Sequence, residues 1–508
     1  MRGAWGHAPW TLLPVGVVAA VTVLPIAYVV AQAGKAAPGQ AFALLVRPYV
    51  GQLLLGTFAL VGGVTGLSLL LGVVLAWLVE RTDVPGRRWW GLALAMPLAI
   101  PAYVSGFAWL SLTPRVEGLA GAIPIIALAE FPLVYLPVAA ALRGLDGALD
   151  DVACLLGQGP WRRAWTVVLP QVLPAAAASG LLVSLHMLVE FGPLALLRVS
   201  TFTTAIYSAS ELEFDGAATG VLSGVLLVLC TIFVAAEMRA RGRRRYARLG
   251  SGVRRAASRL QLGPWRWPVL LVLASVVGLS VAVPLVTVAS WVVVGRSSGL
   301  PLARIAGALS GSLQLAGLGS LATTAIGLLL VLAALRQGAA ARWLERLPYI
   351  IHAVPGLVVA LALVAATLAL APGLYQGVTV IVVAYAMLAL PLAQGAIRAA
   401  FEQAPRGLEE AGLATGRPPW HVFYRITLPG LAPGLGAALV LTFLSLLKEL
   451  TATLILVPTG TDTLAMEVWS HTSQMEYGAA APYALLLVLV SGLPAYGFAR
   501  RLDRAGAA

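Results

Sequence analysis

The chain has 508 residues, of which 59% are hydrophobic and only 11% charged, against roughly 25% charged in an ordinary soluble domain. Mean hydropathy is +0.89 over the whole length, which excludes a soluble enzyme on a single anchor, a disordered chain and a collagen-like one. Two cysteines, Cys154 and Cys230, supply neither a disulfide framework nor a cysteine zinc site. A spanning helix takes about 20 apolar residues, so the pattern predicts an all-α polytopic membrane protein of about twelve transmembrane helices. The net charge of +13 follows topology. With both termini cytoplasmic, most Lys and Arg fall in cytoplasmic segments while the acids divide more evenly, as the positive-inside rule requires. The partner this implies is the lipid bilayer, with no nucleic acid.

The first apolar run, near 10–32, exceeds the 7–15-residue core of a secretory signal and is expected to be a retained helix. Runs follow near 53–79, 90–112, 119–142, 175–197 and 216–236. A charged loop, Glu80 to Arg88, separates the second from the third. In the third, Pro97 and Pro101 free backbone carbonyls that only a buried or wet setting tolerates. Glu130 lies in the fourth. Residues 145–156 then place Leu145, Leu149, Val152 and Leu156 on one helical face, with Asp146, Asp150 and Asp151 largely opposite. Gly157 stands where a C-cap glycine belongs. A second short helix begins near Pro160, aligns Trp161, Trp165 and Val168, and is expected to end at Leu169-Pro170. His186 and Glu190 fall in the fifth run.

Residues 238–267 contain ten arginines and no acid. Such a segment stays cytoplasmic and attracts anionic headgroups. It divides the chain into a first transmembrane domain (1–237), a basic cytoplasmic linker (238–267) and a second transmembrane domain (268–508). Further runs lie near 268–294, 311–334, 347–370, 374–397, 434–457 and 482–499. Pro348 and Pro355-Gly356 in the ninth run mirror the prolines of the third; matching kinks suit a gate, and helix packing around proline suits them too. Six spans per half is an even number, so the halves are parallel repeats. Self-comparison at an offset of 259 aligns Asp151 with Glu410, Gly157 with Gly416, Trp161 with Trp420, Leu169-Pro170 with Leu428-Pro429, Glu190 with Glu449 and Thr204 with Thr463. The second loop reads GLEEAGLATG (407–416), then PPWHVFYRITLPG (418–430). Each half thus presents two short amphipathic helices joined at glycine. A lipid-surface helix is the competing reading, but acids on the first helix repel anionic headgroups and favour protein docking.

These loops resemble the E-A-A-x3-G-x9-I-x-L-P segment of binding-protein-dependent ABC importer permeases. Glu410-Ala411-Gly412, Gly416, Ile426, Leu428 and Pro429 carry the match; Asp151-Val152-Ala153, Gly157, Val167, Leu169 and Pro170 form a looser copy. The resemblance implies two fused permease domains in a bacterial inner membrane and a coupling helix in each loop. Two copies of an ABC ATPase subunit would dock at 145–170 and 404–429, through Asp151, Gly157, Trp161, Leu169, Pro170, Glu409, Glu410, Gly416, Trp420, Leu428 and Pro429. A periplasmic binding protein would deliver cargo. The departure at Asp151-Val152 implies unequal contact with the two ATPases.

A phosphate-binding loop needs Gly-x4-Gly-Lys-[Ser/Thr], and neither lysine, Lys35 or Lys448, meets that pattern. The chain is therefore expected to be no enzyme and to bind no cofactor, with ATP-Mg held on the partner ATPase. A gradient-driven secondary transporter is the alternative of another class; the repeated loop between the fourth and fifth spans has no role in one. Ionisable groups inside spans are costly and face a path or a partner. Glu190, Lys448 and Glu449, with Pro101 and Pro355, are the path or gate candidates, set against local pairing of Lys448 and capping of unwound backbone by the glutamates. The stretches TFTTAIY, LKEL-x-ATL and TDTLA resemble the ferric-iron branch of fused permeases, with thiamine and phosphonate importers as rivals. Outer acids Glu211, Glu213, Asp215, Asp462, Glu467 and Glu476, with Tyr207 or Tyr477, offer hard oxygen ligands, or simply a solvated loop that meets the binding protein. The metal ligand set stays open.

Overall fold

The computed structural model describes residues 12–35, 37–145, 152–242, 259–295, 301–336, 354–404 and 406–505. Within hydrocarbon every backbone N–H and C=O must find a partner inside the protein, which leaves helices as the solution for apolar runs of this length. Among the described residues, seven helices are long and apolar enough to cross a membrane, or nine if each of two bent pairs is one crossing. The remaining three predicted runs hold shorter apolar helices, Ala20–Ala33, Gly356–Leu370 and Tyr477–Gly492. By length and composition, seven to nine of the dozen expected runs stand as spans among the described residues, and the other three are represented by these shorter helices. No strand occurs among the described residues; one isolated bridge joins Thr82 and Leu260.

Several predicted runs are broken where proline interrupts the ladder of amide bonds. The third, expected to be continuous over 90–112, consists of Arg87–Ala99 and Ala102–Leu112 bent by 88°. Pro101 has no N–H to donate, and its extended ψ of 141° carries the chain out of the first helix. Pro355 leads into Gly356–Leu370 with nearly the same geometry, φ −54° and ψ 139°. Pro348 lies outside the described residues. The fourth run bends by 40° between Leu119–Glu130 and Pro132–Arg143.

The fifth run of each half departs from expectation at both ends. Leu169-Pro170 does not terminate a helix: a π turn over Ala164–Val168 leads directly into Leu169–Val189. The second half repeats this with Phe423–Thr427 and Leu428–Leu447. The wide turn lets the Leu169 and Leu428 amides reach Ala164 and Phe423. The proline that follows, having no amide, leaves no donor unpaired. At the far end the helices stop at Val189 and Leu447, short of the predicted 197 and 457.

Packing obeys the sequence repeat. Gly72 lets Pro48–Arg81 approach Pro132–Arg143 so closely that an added methyl would stand 2.6 Å from Val134 Cβ. Gly327 meets Ala393 in the same way in the second half, at 3.2 Å. Small residues at such crossings are how membrane helices gain van der Waals contact where lipid supplies no hydrophobic drive. The halves also exchange elements. Leu12–Ala33 packs on Gly216–Gly242 of its own half and on Gly356–Leu370 of the other. Val283–Val294 reciprocates, packing on Tyr477–Ala505 and on Ala102–Leu112. Consequently Ile100, Tyr103, Val104 and Phe107 lie in a buried cluster built mainly from second-half residues.

Candidate functional site

The two predicted loop helices share a local geometry where they are described. Residues 152–155 are helical, and Arg406–Ala414 forms the second copy. Gly157 and Gly416 both adopt left-handed φ, 72° and 76°, and their amides return to Cys154 and Leu413 at 3.0 Å each. That is the conformation glycine takes without Cβ strain at a helix C-terminus. The second copy folds back on itself: Gly412 rests beneath Ile426 and Val422. Val152, Leu155, Leu156, Trp165, Leu408, Trp420 and Tyr424 are exposed. Glu410 is exposed and Glu409 half-buried; Leu169 and Leu428 are half-buried, Pro170 and Pro429 exposed. Asp151 lies outside the described residues, as does the side chain of Trp161, whose backbone belongs to the short helix Pro160–Arg163.

The path candidates converge where the fifth helices break. Glu190 and Glu449 are not within those helices, as the repeat suggested, but just beyond their ends. Glu190 is extended, and its carbonyl accepts the Thr203 hydroxyl at 2.7 Å. Its carboxylate lies 3.6 Å from His186 Nε2, while His186 Nδ1 reaches Glu130 Oε2 at 3.0 Å. Glu449 Oε1 accepts the Ala452 amide at 3.0 Å, so this side chain does cap unwound backbone. The Thr453 hydroxyl donates to the Glu449 carbonyl and also meets the Tyr385 hydroxyl, at 2.8 and 2.7 Å.

Lys448 finds its partner across the halves. Its ammonium donates to the Leu98 carbonyl at 2.7 Å. In an unbroken helix that carbonyl would take the Ala102 amide, which the break at Pro101 carries away. Ser491 does the same for Ala99, donating at 2.7 Å. The third span of the first half is thus held open by two side chains of the second. Phe191 adds an apolar contact, its ring tilted against Tyr207 at 4.7 Å and against Trp469 of the second half at 5.4 Å. Ser491, Tyr385, Phe191 and Trp469 carried no signal in the sequence reading.

The outer acids divide. Asp215 caps its helix through the Ala218 amide, at 2.9 Å. Glu467 and Glu476 flank His471, at 3.3 and 2.7 Å. Tyr477 stacks with Phe107 and lies tilted against Trp291. Among the described residues, no group of three or more His, Cys, Asp or Glu is placed to hold a metal ion.

Residues 68–245 and 325–505 each match the family described as binding-protein-dependent transport system inner membrane component. The chain is 42% identical over 492 residues to the Fe(3+)-transport system permease protein FbpB 2 of Haemophilus influenzae, covering 96% of this chain and 97% of that protein. It is 31% identical over 142 residues to the molybdenum transport system permease protein ModB of Escherichia coli, covering 25% of this chain and 62% of that one. It is 29% identical over 250 residues to PhnU of Salmonella paratyphi A, named for 2-aminoethylphosphonate transport, covering 43% and 86%. Two matches in tandem take in most of the chain. The protein belongs to the family of inner membrane components of binding-protein-dependent transport systems, with two family domains in one polypeptide.

Proposed function

We propose that this chain supplies both transmembrane halves of the permease of an ATP-driven importer that carries ferric iron, delivered by a periplasmic binding protein, into the cytoplasm. The observation that carries the reading is end-to-end similarity to a ferric-iron permease, 42% identity across 96% of the chain. Similarity to the phosphonate and molybdenum permeases is confined to part of it. The permease domains are 1–237 and 268–508, joined by the basic linker 238–267, and about twelve spans put both termini in the cytoplasm. Two ATPase subunits dock on the exposed loop helices around 145–170 and 404–429, with Glu409, Glu410 and Trp420 on the second surface. ATP and Mg2+ belong to those subunits, and this chain binds no cofactor.

In the cycle that this reading implies, ATP binding draws the two loop surfaces together. The π turns transmit that displacement into the fifth helices, whose far ends carry Glu190 and Glu449. The broken third and fifth helices then separate at the junction of the halves and admit the ion, and hydrolysis resets them.

The test is 55Fe(III) uptake in cells lacking the gene, restored with wild type or Glu410→Arg, with labelled thiamine and 2-aminoethylphosphonate in parallel. Wild type restores iron uptake alone. Glu410→Arg inserts normally but loses at least ~10-fold of the rate, since a reversed charge at a docking surface costs about 2–5 kcal/mol. Restored phosphonate or thiamine uptake without iron overturns the cargo, and full activity of Glu410→Arg overturns the docking surface.

A further inference from the structure

Two turns far apart in sequence are bound side by side where apolar spans begin and end. Thr82 and Leu260 pair as a parallel bridge. The Leu260 amide donates to the Arg81 carbonyl at 2.8 Å, the Asp83 amide to the Leu260 carbonyl at 3.1 Å, and the Leu262 amide to Asp83 Oδ1 at 2.8 Å. Each segment then turns at a left-handed glycine, Gly86 with φ 71° and Gly263 with φ 53°. Each enters an apolar stretch at once, Arg87–Ala99 in one case and Gly263–Val294 in the other. Val84 and Leu262, one from each turn, are buried in the same cluster with Leu94 and Leu273. The two turns therefore share a foundation and keep a fixed register.

What they display is alike. Arg87-Arg88-Trp89-Trp90 follows one glycine, Trp265-Arg266-Trp267 lies just past the other, and Arg259 immediately precedes the bridge. Arg88, Arg259 and Arg266 are exposed, as are Trp89, Trp265 and Trp267, at 75%, 69% and 66%. The Arg266 guanidinium lies over the Trp267 ring, 5.5 Å from its centroid. The acids close by in sequence are engaged: Glu80 pairs with Arg143 at 3.6 Å, and Asp83 holds the Leu262 amide. Among the described residues, no carboxylate lies within ion-pair distance of Arg88, Arg259 or Arg266.

We propose that the paired turns form a binding site for the headgroup of an anionic phospholipid. Arg87, Arg88, Arg259 and Arg266 hold the phosphate, whose geometry a guanidinium fork matches. The exposed tryptophans lie at the headgroup level, where their amphipathic rings are at home. Basic pockets between spans take anionic headgroups in this way. The positive-inside rule accounts for arginines on this side of the membrane, but it does not require segments of the first domain and of the linker's end to be locked together beneath them. The cytoplasmic orientation proposed above puts the turns in the leaflet where anionic lipid sets the surface potential; the binding itself rests on neither that orientation nor the cargo.

The experiment uses the full chain, stripped of lipid in an uncharged detergent, with bound ligand counted by native mass spectrometry. The probes are dioctanoyl phosphatidylglycerol, dioctanoyl phosphatidylcholine and inorganic phosphate at matched ionic strength. Phosphatidylglycerol binds about tenfold or more tighter than either of the others. Arg88→Gln with Arg259→Gln weakens it about 25-fold, at about fivefold per charge, while the thermal midpoint without lipid is unchanged because both side chains are exposed. Asp83 separates a built site from a diffuse basic surface. Asp83→Asn and Asp83→Ala both remove a negative charge, which by itself strengthens anion binding. Only the Asn variant keeps an acceptor for the Leu262 amide, so it binds phosphatidylglycerol at least as tightly as wild type, and the Ala variant binds about threefold or more weaker than Asn. Equal binding by the two Asp83 variants overturns the site in favour of diffuse attraction. Equal binding of phosphatidylcholine, or of inorganic phosphate alone, overturns the anionic lipid as its occupant. So does binding by the arginine double variant within twofold of wild type.

Discussion

At Lys448 and Glu449, two adjacent charged residues answer the same physical demand in different places. Unwinding a helix inside a membrane leaves carbonyls and amides that water cannot reach, and each costs several kcal/mol if unpaired. Lys448 serves a carbonyl 350 positions away, while Glu449 serves the amide three residues ahead. Capping alone, then, accounts for part of Glu449, and charge is what remains to be tested. Glu449→Gln keeps an acceptor for the Ala452 amide, whereas Glu449→Ala removes it and costs ~1 kcal/mol, as loss of a cap does. The expected outcome is normal membrane abundance for the Gln variant, a lower thermal midpoint for the Ala variant, and 55Fe uptake reduced in both. Wild-type uptake by the Gln variant reduces Glu449 to a cap. The carboxylates themselves were legible in the sequence, because ionisable groups are rare in apolar runs and these two recur at one offset. Their positions beyond the helix ends were not, since nothing local distinguishes the last turn of a span from the first residues after it. Ser491 and Tyr103 were illegible for a related reason. Ser491 is explained by a carbonyl on the other half of the molecule, with no trace in its own neighbourhood, and the unpartnered Tyr103 hydroxyl has no trace there either.

The loop helices show how far local chemistry carries an element. Glycine at 157 and 416, proline at 160 and 419, and the Leu-Pro pairs punctuate both copies, and the structure places turns at the first two. It reads the third differently, because a π turn absorbs the proline that sequence rules treat as a stop. The 88° bend of the third span was equally out of reach. Pro101 announces a break, but the angle is set by packing against second-half helices. The left-handed Gly416 gives a graded test of the element. No atom lies within 4 Å of a methyl added there, so Gly416→Ala costs only the backbone strain, about 1–2 kcal/mol. Proline is locked near φ −65° and cannot adopt 76° at all. Uptake should fall severalfold in Gly416→Ala and vanish in Gly416→Pro, with both chains inserted in the membrane. Equal activity of the two variants would detach the loop conformation from coupling.

Across the whole molecule, the halves are related as the sequence repeat requires, yet they are not two separate bundles laid side by side. Leu12–Ala33 and Val283–Val294 each pack on the third span of the opposite half, and Lys448 and Ser491 reach across to carbonyls of the first. The end of the basic linker is also tied down. The Leu260 amide donates to the Arg81 carbonyl at 2.8 Å, and Asp83 Oδ1 accepts the Leu262 amide at 2.8 Å. Cohesion therefore resides in packing and hydrogen bonds within the membrane and at this junction, leaving the covalent linker to supply mainly effective concentration, about millimolar for a short tether. A specific protease site placed within 243–258 separates the two possibilities. After cleavage in the membrane, the halves should co-purify in mild detergent and retain more than about half of the 55Fe uptake. Adding Asp83→Ala to the cleaved chain removes the side-chain tie at Leu262 and should shift the balance toward dissociation. Halves that part immediately on cleavage, with Asp83 intact, would place the cohesion in the linker instead and leave the exchanged helices as contacts without holding strength.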